Sequence, residues 1–440
     1  MSSANPIGRK HLCGDALIQL LHAEFQQIAP PIPSTGTVSL TDALLSGFAM
    51  FSLKDPSLLA FDQRRNDENM RSIYHIQHVP SDTHLRTLLD DVESEQVRPA
   101  FCSVFRQVQR GKVLEPLVFF QDCYLLALDG TEHFSSTKIH CPHCMQRKGK
   151  NGSVTYYHQM LSAALIHPDS PEVIPLMPEP IIKQDGQTKN DCERNAAKRF
   201  LEKFRKDHPH LSVIVTEDGL SSNGPHIKDL IHYQMHFILG AKAGDHKFLF
   251  AQMETAFREG RASTVTLEDP KGKVLHHFRY LTGVPLNESQ PDVLVNFLEY
   301  WEISEAGVKC FSWVTDLPLT PDTVYIVMRG GRARWKIENE TFNTLKNQGY
   351  HFEHNFGHGE KNLCVIFALL MMLAFLVDQV QQLCDPLFGA AWDKVGSKRQ
   401  LWEDVRTLFR AFVLTSLRAL YETLLAGFVK QIPILVDDSS

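Results

Sequence analysis

The sequence lacks an excess of basic residues. Of its 440 residues, 45 are Lys or Arg and 51 are Asp or Glu, which gives a formal net charge of -6. Proteins that bind nucleic acid over a broad surface carry a basic patch or stripe. If this chain binds nucleic acid, binding must therefore rest on local basic patches and on bound cations.

Cysteine is also sparse, and features of secretion are missing. The nine cysteines are scattered without dense spacing, which suits a reducing compartment better than a disulfide scaffold. The first residues lack a charged segment followed by an apolar one, so we expect no signal peptide. The longest apolar run, residues 363–377, is too short to cross a bilayer comfortably and predicts a buried core helix. We expect a soluble, cytoplasmic protein that does not contact a membrane.

The pattern of apolar residues predicts an α/β protein with helical regions at both ends. Ser39 and Ser81 precede amphipathic runs and are expected to cap helices. Strand-like and helix-like runs alternate after residue 120, as in a mixed sheet. The predicted regions are a helical N-terminal region (1–120), the first part of an α/β core (121–244), a β-rich insertion (245–325), a helix that completes the core (326–358) and a helical C-terminal region (359–440).

Two acidic residues follow apolar runs of buried-strand type. Asp129 comes after residues 124–128, and Asp218 comes shortly after residues 211–216. Active-site carboxylates in open α/β sheets tend to lie at strand ends, where the loops meet in a crevice. An Asp-Gly pair after a strand is also common turn chemistry. Neither aspartate alone therefore identifies a site.

A third carboxylate, Glu338, lies at the centre of a predicted helix over Arg332–Lys346. Five residues share one face of this helix by their spacing: Arg334, Glu338, Thr341, Phe342 and Leu345. A Glu on a packed face needs a cationic partner, which either Arg334 or a metal ion could provide. Three carboxylates without a matching His or Cys set suit Mg²⁺ or Mn²⁺. Two such ions support phosphoryl transfer at a phosphodiester.

With these three acids in this order, residues 125–347 resemble the bacterial insertion-sequence transposases of the DDE superfamily, in the subgroup with a β-rich insertion before the Glu. The resemblance implies an RNase H-like fold. It also implies that Asp129, Asp218 and Glu338 are the catalytic residues and bind two Mg²⁺ ions, for which Mn²⁺ can substitute.

The motif of this subgroup is Tyr, two residues, Arg, three residues, Glu, six residues and Lys. Arg334 and Glu338 fit its central spacing, but Gly331 occupies the Tyr position and Lys346 lies one residue too far along. Six positions back from Lys346 stands Glu340, which is the rival third carboxylate. The resemblance implies that Arg334 and Lys346 contact phosphates near the cut, where such contacts position DNA without reading its sequence.

The resemblance further implies a transposase that cuts transposon ends and joins them to target DNA. Its partners would be double-stranded DNA, namely the terminal inverted repeats and the target, with a homodimer in the DNA complex. The N-terminal region would bind DNA, and the protein would act at the nucleoid. Two other interpretations remain open: a metal-dependent, structure-specific nuclease without strand transfer, and an inactive DNA-binding descendant.

Two tryptophans of the predicted insertion have alternative roles. In transposases of this kind that cut through a DNA hairpin, an insertion Trp stacks on a flipped base. Trp313 is the candidate here, ahead of Trp301. Stacking on an extruded base is physically sound, although a tryptophan in a β region is also a common core residue.

Cys141 and Cys144, preceded by His140, resemble half of a zinc site. A structural zinc needs four ligands, and the sequence shows no second pair at the usual spacing. His158 and Cys192 would have to be brought in by the fold, so the sequence favours a turn with free thiols over a structural Zn²⁺. Three histidines after the Glu338 helix are interpreted as surface or DNA-proximal residues: His351, His354 and His358.

Overall fold

The computed structural model describes residues 9–30, 37–183, 190–270 and 272–427. Its N-terminal part is helical, as predicted. Ser39 and Ser81 do cap helices, since their hydroxyls accept hydrogen bonds from the backbone N–H of Asp42 (3.0 Å) and His84 (3.4 Å). The helices are α1 (Gly14–Gln26), α2 (Leu40–Ser52), α3 (Leu58–Asp62), α4 (Glu68–Ser72), α5 (Asp82–Asp90) and α6 (Arg98–Arg110), with short 3₁₀ turns at Lys10–Leu12, Ser94–Val97 and Glu115–Leu117.

One mixed sheet forms the centre of the protein. Its strands are β1 (Val118–Phe120), β2 (Cys123–Ser136), β3 (Met145–Lys148), β4 (Val154–Ile166), β5 (Ile174–Pro175), β6 (Glu179–Ile181), β7 (Val213–Glu217), β8 (His236–Gly240), β9 (Ser263–Glu268), β10 (Val274–Asn287), β11 (Gln290–Ser304) and β12 (Gly307–Thr315). β2 pairs with β4 antiparallel and with β7 parallel, and β8 pairs parallel to β7. Antiparallel strands followed by two parallel strands are the arrangement of an RNase H-like sheet. The predicted fold class is therefore confirmed.

Three helices connect the strands of the sheet: α7 (Glu193–Asp207), α8 (Gly224–His232) and α9 (Lys247–Arg258). The prediction for residues 245–325 was incomplete, because α9 precedes the four strands β9–β12. These strands continue the central sheet, since β12 pairs antiparallel with β8 through Trp313 and Gly240. The β-rich insertion is thus an extension of the core.

The position predicted for Asp129 needs a correction. The sequence places it at the end of a strand, but β2 runs seven residues further, to Ser136. Its partner β4 has 13 residues against 14 in β2, and Asp129 lies opposite Ser162 in the middle of the pair. The polar residues after Asp129 belong to the strand because they continue the pairing with β4.

The predicted Glu338 helix is α10 (Val324–Ala333), a π-helical turn (Ile337–Phe342) and α11 (Asn343–Asn347). A π-helical turn adds a residue to the turn and shifts the register. Thr341, Phe342 and Leu345 are buried, whereas the Glu338 side chain is 50% exposed. The predicted common face is therefore split, and Glu338 is open to solvent.

The C-terminal helices are α12 (Leu363–Cys384), α13 (Pro386–Val395), α14 (Lys398–Ala411) and α15 (Leu417–Ala426). α12 is long and apolar enough to cross a membrane, but its apolar residues are buried within this protein. It packs against α1, α2, α5 and α6 of the N-terminal region and against β5. The sequence-based interpretation of this run as a core helix is therefore confirmed.

Candidate active site

The site begins with the pairing of two strands. In the parallel pair of β2 and β7, Ala127 lies opposite Thr216. Asp129 lies two residues after Ala127, and Asp218 lies two residues after Thr216. Side chains two residues apart along a strand point to the same face. The two aspartates line one pocket of about 440 Å³. The fold thus brings together two carboxylates that are far apart in sequence.

Arg334 joins the third carboxylate to this pair. Its Nη1 donates to Oδ2 of Asp129 at 3.1 Å, and its Nη2 donates to Oε1 of Glu338 at 2.6 Å. Its charge also interacts with that of Asp218. The arginine expected to contact phosphate therefore lies among the three predicted acids.

Burial and neighbouring charges disturb the ionisation of Asp129. Burial raises the pKa of this carboxyl to about 6, the Arg334 guanidinium opposes the rise, and the charges of Glu338 and Glu193 add to it. The backbone N–H of Gly130 donates to Oδ1 at 3.0 Å. The charged form of Asp129 is thus disfavoured mainly by burial, and Arg334 offsets only part of this effect.

The sequence analysis missed Glu193, the first residue of α7. Its carboxylate lies against Gly130, where a Cβ atom would be 2.1 Å from Oε1 of Glu193. Burial raises the pKa of Glu193, and the nearby Asp218 and Glu217 raise it further. An acid in the first turn of a helix is a common stabilising feature, so its position in sequence did not distinguish it as a site residue.

Glu338 and its rival Glu340 face different partners. Glu338 contacts Arg334 and acts electrostatically on Asp129. Glu340 instead acts on Lys398 at the start of α14, where burial lowers the pKa of the lysine and Glu340 opposes that change. Of the two glutamates, Glu338 is therefore the one placed for a shared site with the aspartates.

Lys346 and Trp313, the other two predicted DNA contacts, both have partners within the protein. Lys346 pairs with Glu353 at 2.7 Å, at the far end of α11. Trp313 is only 5% exposed, and its ring stacks on Phe311 with centroids 6.0 Å apart and planes 10° apart. Trp313 also lines a pocket together with Asp218 and Arg334, so its role in base stacking stays a prediction.

A second pocket, of about 720 Å³, adjoins the acidic one. The two share Glu217 and Asp218, and the second also contains three cations and an exposed ring: Lys242, Arg332, Arg334 and Trp335. Trp335 is 45% exposed. The sequence analysis did not single out Trp335, which lines the same pocket as Trp313 and is much more exposed.

Four of the Cys and His residues considered in the sequence analysis form a compact cluster. Cys141, Cys144, His158 and His358 are all buried, with their ligand atoms within 4.8 Å of one another. The interpretation of His358 as a surface residue is therefore wrong, whereas the two cysteines are free thiols in a turn that face two imidazoles. The sequence could not reveal this group because His358 lies 214 residues after Cys144. Cys192, the other residue considered, is exposed.

No known protein family and no curated protein matches the sequence. Among solved structures, the chain is similar to the piggyBac transposase in its synaptic complex with hairpin DNA, determined by cryo-electron microscopy. The match covers 100% of this chain and 90% of that chain at 12% identity, with a TM-score of 0.42. Because this similarity is low, a functional assignment has to rest on the side chains of this protein.

Proposed function

We propose that this protein is a DDE-type DNA transposase that cuts transposon ends and joins them to target DNA. The observation that carries the proposal is the gathering of Asp129, Asp218 and Glu338 around Arg334. Asp129 lies in β2, Asp218 directly follows the neighbouring strand β7, and Glu338 lies in the π-helical turn, so the backbone holds the three carboxylates near one another.

The donor set fits hard divalent cations such as Mg²⁺, with Mn²⁺ as a substitute, because all the ligand atoms are carboxylate oxygens. Burial raises the pKa of Asp129, and the charges of Glu338 and Glu193 raise it further; a bound cation would offset both effects. When bound, two Mg²⁺ ions would activate a water or a 3′-hydroxyl and stabilise the departing oxygen of a phosphodiester. Asp129, Asp218 and Glu338 would hold these ions, with Glu193 beside them.

The reaction proposed is two successive displacements at phosphorus. Water attacks the phosphodiester at a transposon end, the P–O3′ bond breaks, and the departing oxygen takes a proton to become a 3′-hydroxyl. That hydroxyl then attacks a target phosphodiester, forming a new P–O bond and releasing a target 3′-hydroxyl. Arg334, Arg332 and Lys242 would position the DNA phosphates through their charges.

The negative overall charge is compatible with a DNA partner because the cations are local. Lys242, Arg332 and Arg334 line one side of the site, and the bound metal ions would add positive charge at its centre. By resemblance to insertion-sequence transposases, we propose a homodimer across paired terminal inverted repeats, acting at the nucleoid.

The test uses purified full-length protein, Mg²⁺, and plasmid DNA that carries the sequences flanking its own reading frame. We expect cleavage at the element ends, followed by joining of pre-cut ends to a second plasmid. Glu338→Gln should abolish both steps, whereas the matched control Glu340→Gln should retain them. Asp129→Asn should stop cleavage while DNA binding persists.

Three outcomes would redirect the assignment. Cleavage without joining would identify a structure-specific nuclease. DNA binding without Mg²⁺-dependent cleavage by the unaltered protein would identify an inactive descendant. Loss of activity in Glu340→Gln with retention in Glu338→Gln would move the third carboxylate to Glu340.

A further inference from the structure

A cluster of two thiols and two imidazoles lies apart from the carboxylate site. Cys141 and Cys144 come from the turn between β2 and β3, which is closed by a 3.2 Å hydrogen bond from the Cys144 N–H to the Cys141 carbonyl. His158 lies in β4, and His358 lies in the segment between α11 and α12. Three separate parts of the chain thus contribute one ligand set.

The distances within the cluster match a tetrahedral zinc centre. With Zn–S near 2.3 Å and Zn–N near 2.0–2.1 Å, a tetrahedron places two sulfurs about 3.8 Å apart and a sulfur and a nitrogen about 3.6 Å apart. The two Sγ atoms are 3.8 Å apart here, and Sγ of Cys141 is 3.5 Å from Nε2 of His158. Sγ of Cys144 is 3.3 Å from Nε2 of both His158 and His358.

A disulfide does not account for this arrangement. Bonded sulfurs lie about 2.05 Å apart, and Cys141 and Cys144 are in the free-thiol state. A disulfide would also leave unexplained why two histidines direct the same ring nitrogen, Nε2, at the sulfurs. A common metal ligand position explains all four orientations at once.

The surroundings favour a structural centre over a catalytic one. All four ligands are buried, with 1–7% of their surface exposed, and they complete a four-coordinate shell without an open position. Phe134 covers the site, its ring lying 4.2 Å from that of His358. Nδ1 of His158 and of His358 has no hydrogen-bond partner among the described residues. The two imidazoles are therefore oriented by packing against Phe134.

We propose that Cys141, Cys144, His158 and His358 bind one structural Zn²⁺ ion. The ion would tie the segment that links α11 to α12 to the β2–β4 sheet. His358 lies in that segment, between Asn347 at the end of α11 and Leu363 at the start of α12. The ion would therefore act on the carboxylate site through position only.

Metal content of the purified full-length protein tests the proposal. We expect one Zn²⁺ per chain by inductively coupled plasma mass spectrometry, and its loss in Cys144→Ser and His358→Ala. The matched controls are Cys192→Ser and His354→Ala, which alter an exposed cysteine and an exposed histidine and should keep the zinc. Zinc-free unaltered protein, or zinc retained in both ligand variants, would overturn the proposal.

Replacement of the metal by Co²⁺ keeps the test valid if the ligand variants do not fold. In the unaltered protein, Co²⁺ should give the visible d–d bands of a tetrahedral site together with sulfur-to-cobalt charge-transfer absorption. His358→Cys should retain one metal ion and strengthen the charge-transfer absorption, since it replaces nitrogen by sulfur. An octahedral Co²⁺ spectrum, or a spectrum unchanged in His358→Cys, would exclude these four ligands.

Discussion

Gly331 lies directly against the indole of Trp313. A Cβ atom at residue 331 would be 2.3 Å from Nε1 of Trp313, and Phe311 packs on the same ring. In the transposases that this sequence resembles, a Tyr stands at the corresponding position. Here the side chain of Trp313 fills that space from β12, so the departure from the motif has a steric cause.

We therefore expect Gly331→Ala to reduce the free energy of unfolding by about 1–3 kcal/mol, and Gly331→Tyr to reduce it further, because both overpack a filled space. Urea denaturation measures the change. Gly389→Ala is the matched control, since Gly389 also lies in a helix but a Cβ atom there would meet no atom of the described residues within 4 Å. That control should raise stability by up to about 1 kcal/mol. A neutral Gly331→Tyr would contradict the steric explanation.

The raised pKa of Asp129 predicts an unusual pH dependence of stability. Its folded-state pKa, about 6, is above the ordinary value of 3.8, so the folded protein binds more protons between these values. The contribution of the Asp129 carboxyl to the free energy of unfolding is fully present below pH 4 and is lost as the pH rises through about 6. Asp129→Asn should remove this component and make the metal-free protein more stable at pH 7. Denaturation midpoints between pH 4 and pH 8 measure the difference.

The same denaturation experiment with Mg²⁺ present tests whether Asp129 binds the ion. If Asp129 binds the ion, Mg²⁺ should stabilise the unaltered protein at pH 7 and lose this effect as the pH falls below about 6, because the protonated carboxyl is a poor ligand. Asp129→Asn should show little stabilisation at either pH. Equal stabilisation of the two proteins by Mg²⁺ would place the ion elsewhere.

Loss of Arg334 should raise the pKa of Asp129 above about 6, because the guanidinium opposes the effect of burial on this carboxyl. Carbon-13 NMR titration of the aspartate carboxyls in Arg334→Gln would follow the change. Arg332→Gln provides the control, since Arg332 pairs with Glu302 at 2.9 Å. An unchanged pKa of Asp129 in Arg334→Gln would show that the two side chains do not interact in solution.

Trp335 and Trp313 should respond differently to substitution. Trp335 is exposed beside the cations of the second pocket, and stacking of a base on an aromatic ring contributes about 1–3 kcal/mol. Trp335→Ala should therefore weaken binding of single-stranded DNA about 5- to 150-fold and leave stability nearly unchanged. Trp313→Ala should instead cost about 3–5 kcal/mol of stability, as expected for a buried aromatic residue. Fluorescence anisotropy and urea denaturation distinguish the two effects.

A buried ion pair links the two helical regions. Lys54 and Asp378 form a direct contact with side chains 0% and 7% exposed, and Tyr350 also donates to Asp378. Asp378→Ala should cost about 3–5 kcal/mol, because it leaves the lysine charge buried without its partner. The double variant Lys54→Met with Asp378→Leu should recover most of this loss. An equally unstable double variant would show that the ion pair itself is required.

The central strands β2 and β7 were predictable from the sequence because each contains a buried apolar run. The buried runs before Asp129 and Asp218 identified β2 and β7, and the two aspartates do lie together. The length of β2 was not predictable, since its second half is stabilised by pairing with β4 and contains polar residues. The apolar pattern of a segment shows whether that segment is buried. It does not show how long the strand that pairs with it is.

The remaining errors came from contacts between distant segments. The π-helical turn changes the face on which Glu338 lies, and no local residue pattern revealed it. His358 and Glu193 join their clusters only through tertiary structure, since neither has a suitable partner nearby in sequence. The Arg334–Glu338 spacing was informative because the two side chains are four residues apart and form an ion pair.

The burial of α12 has a consequence for synthesis of the chain. α2 is buried over 11 of its 13 residues and packs on α12, which begins 311 residues after α2 ends. The ribosome must therefore complete most of the chain before α2 can cover its apolar surface. Nascent chains expose such surfaces to aggregation and to chaperones. A chain that ends before Leu363 would release α2 without its partner, so premature termination should yield insoluble product and no functional fragment.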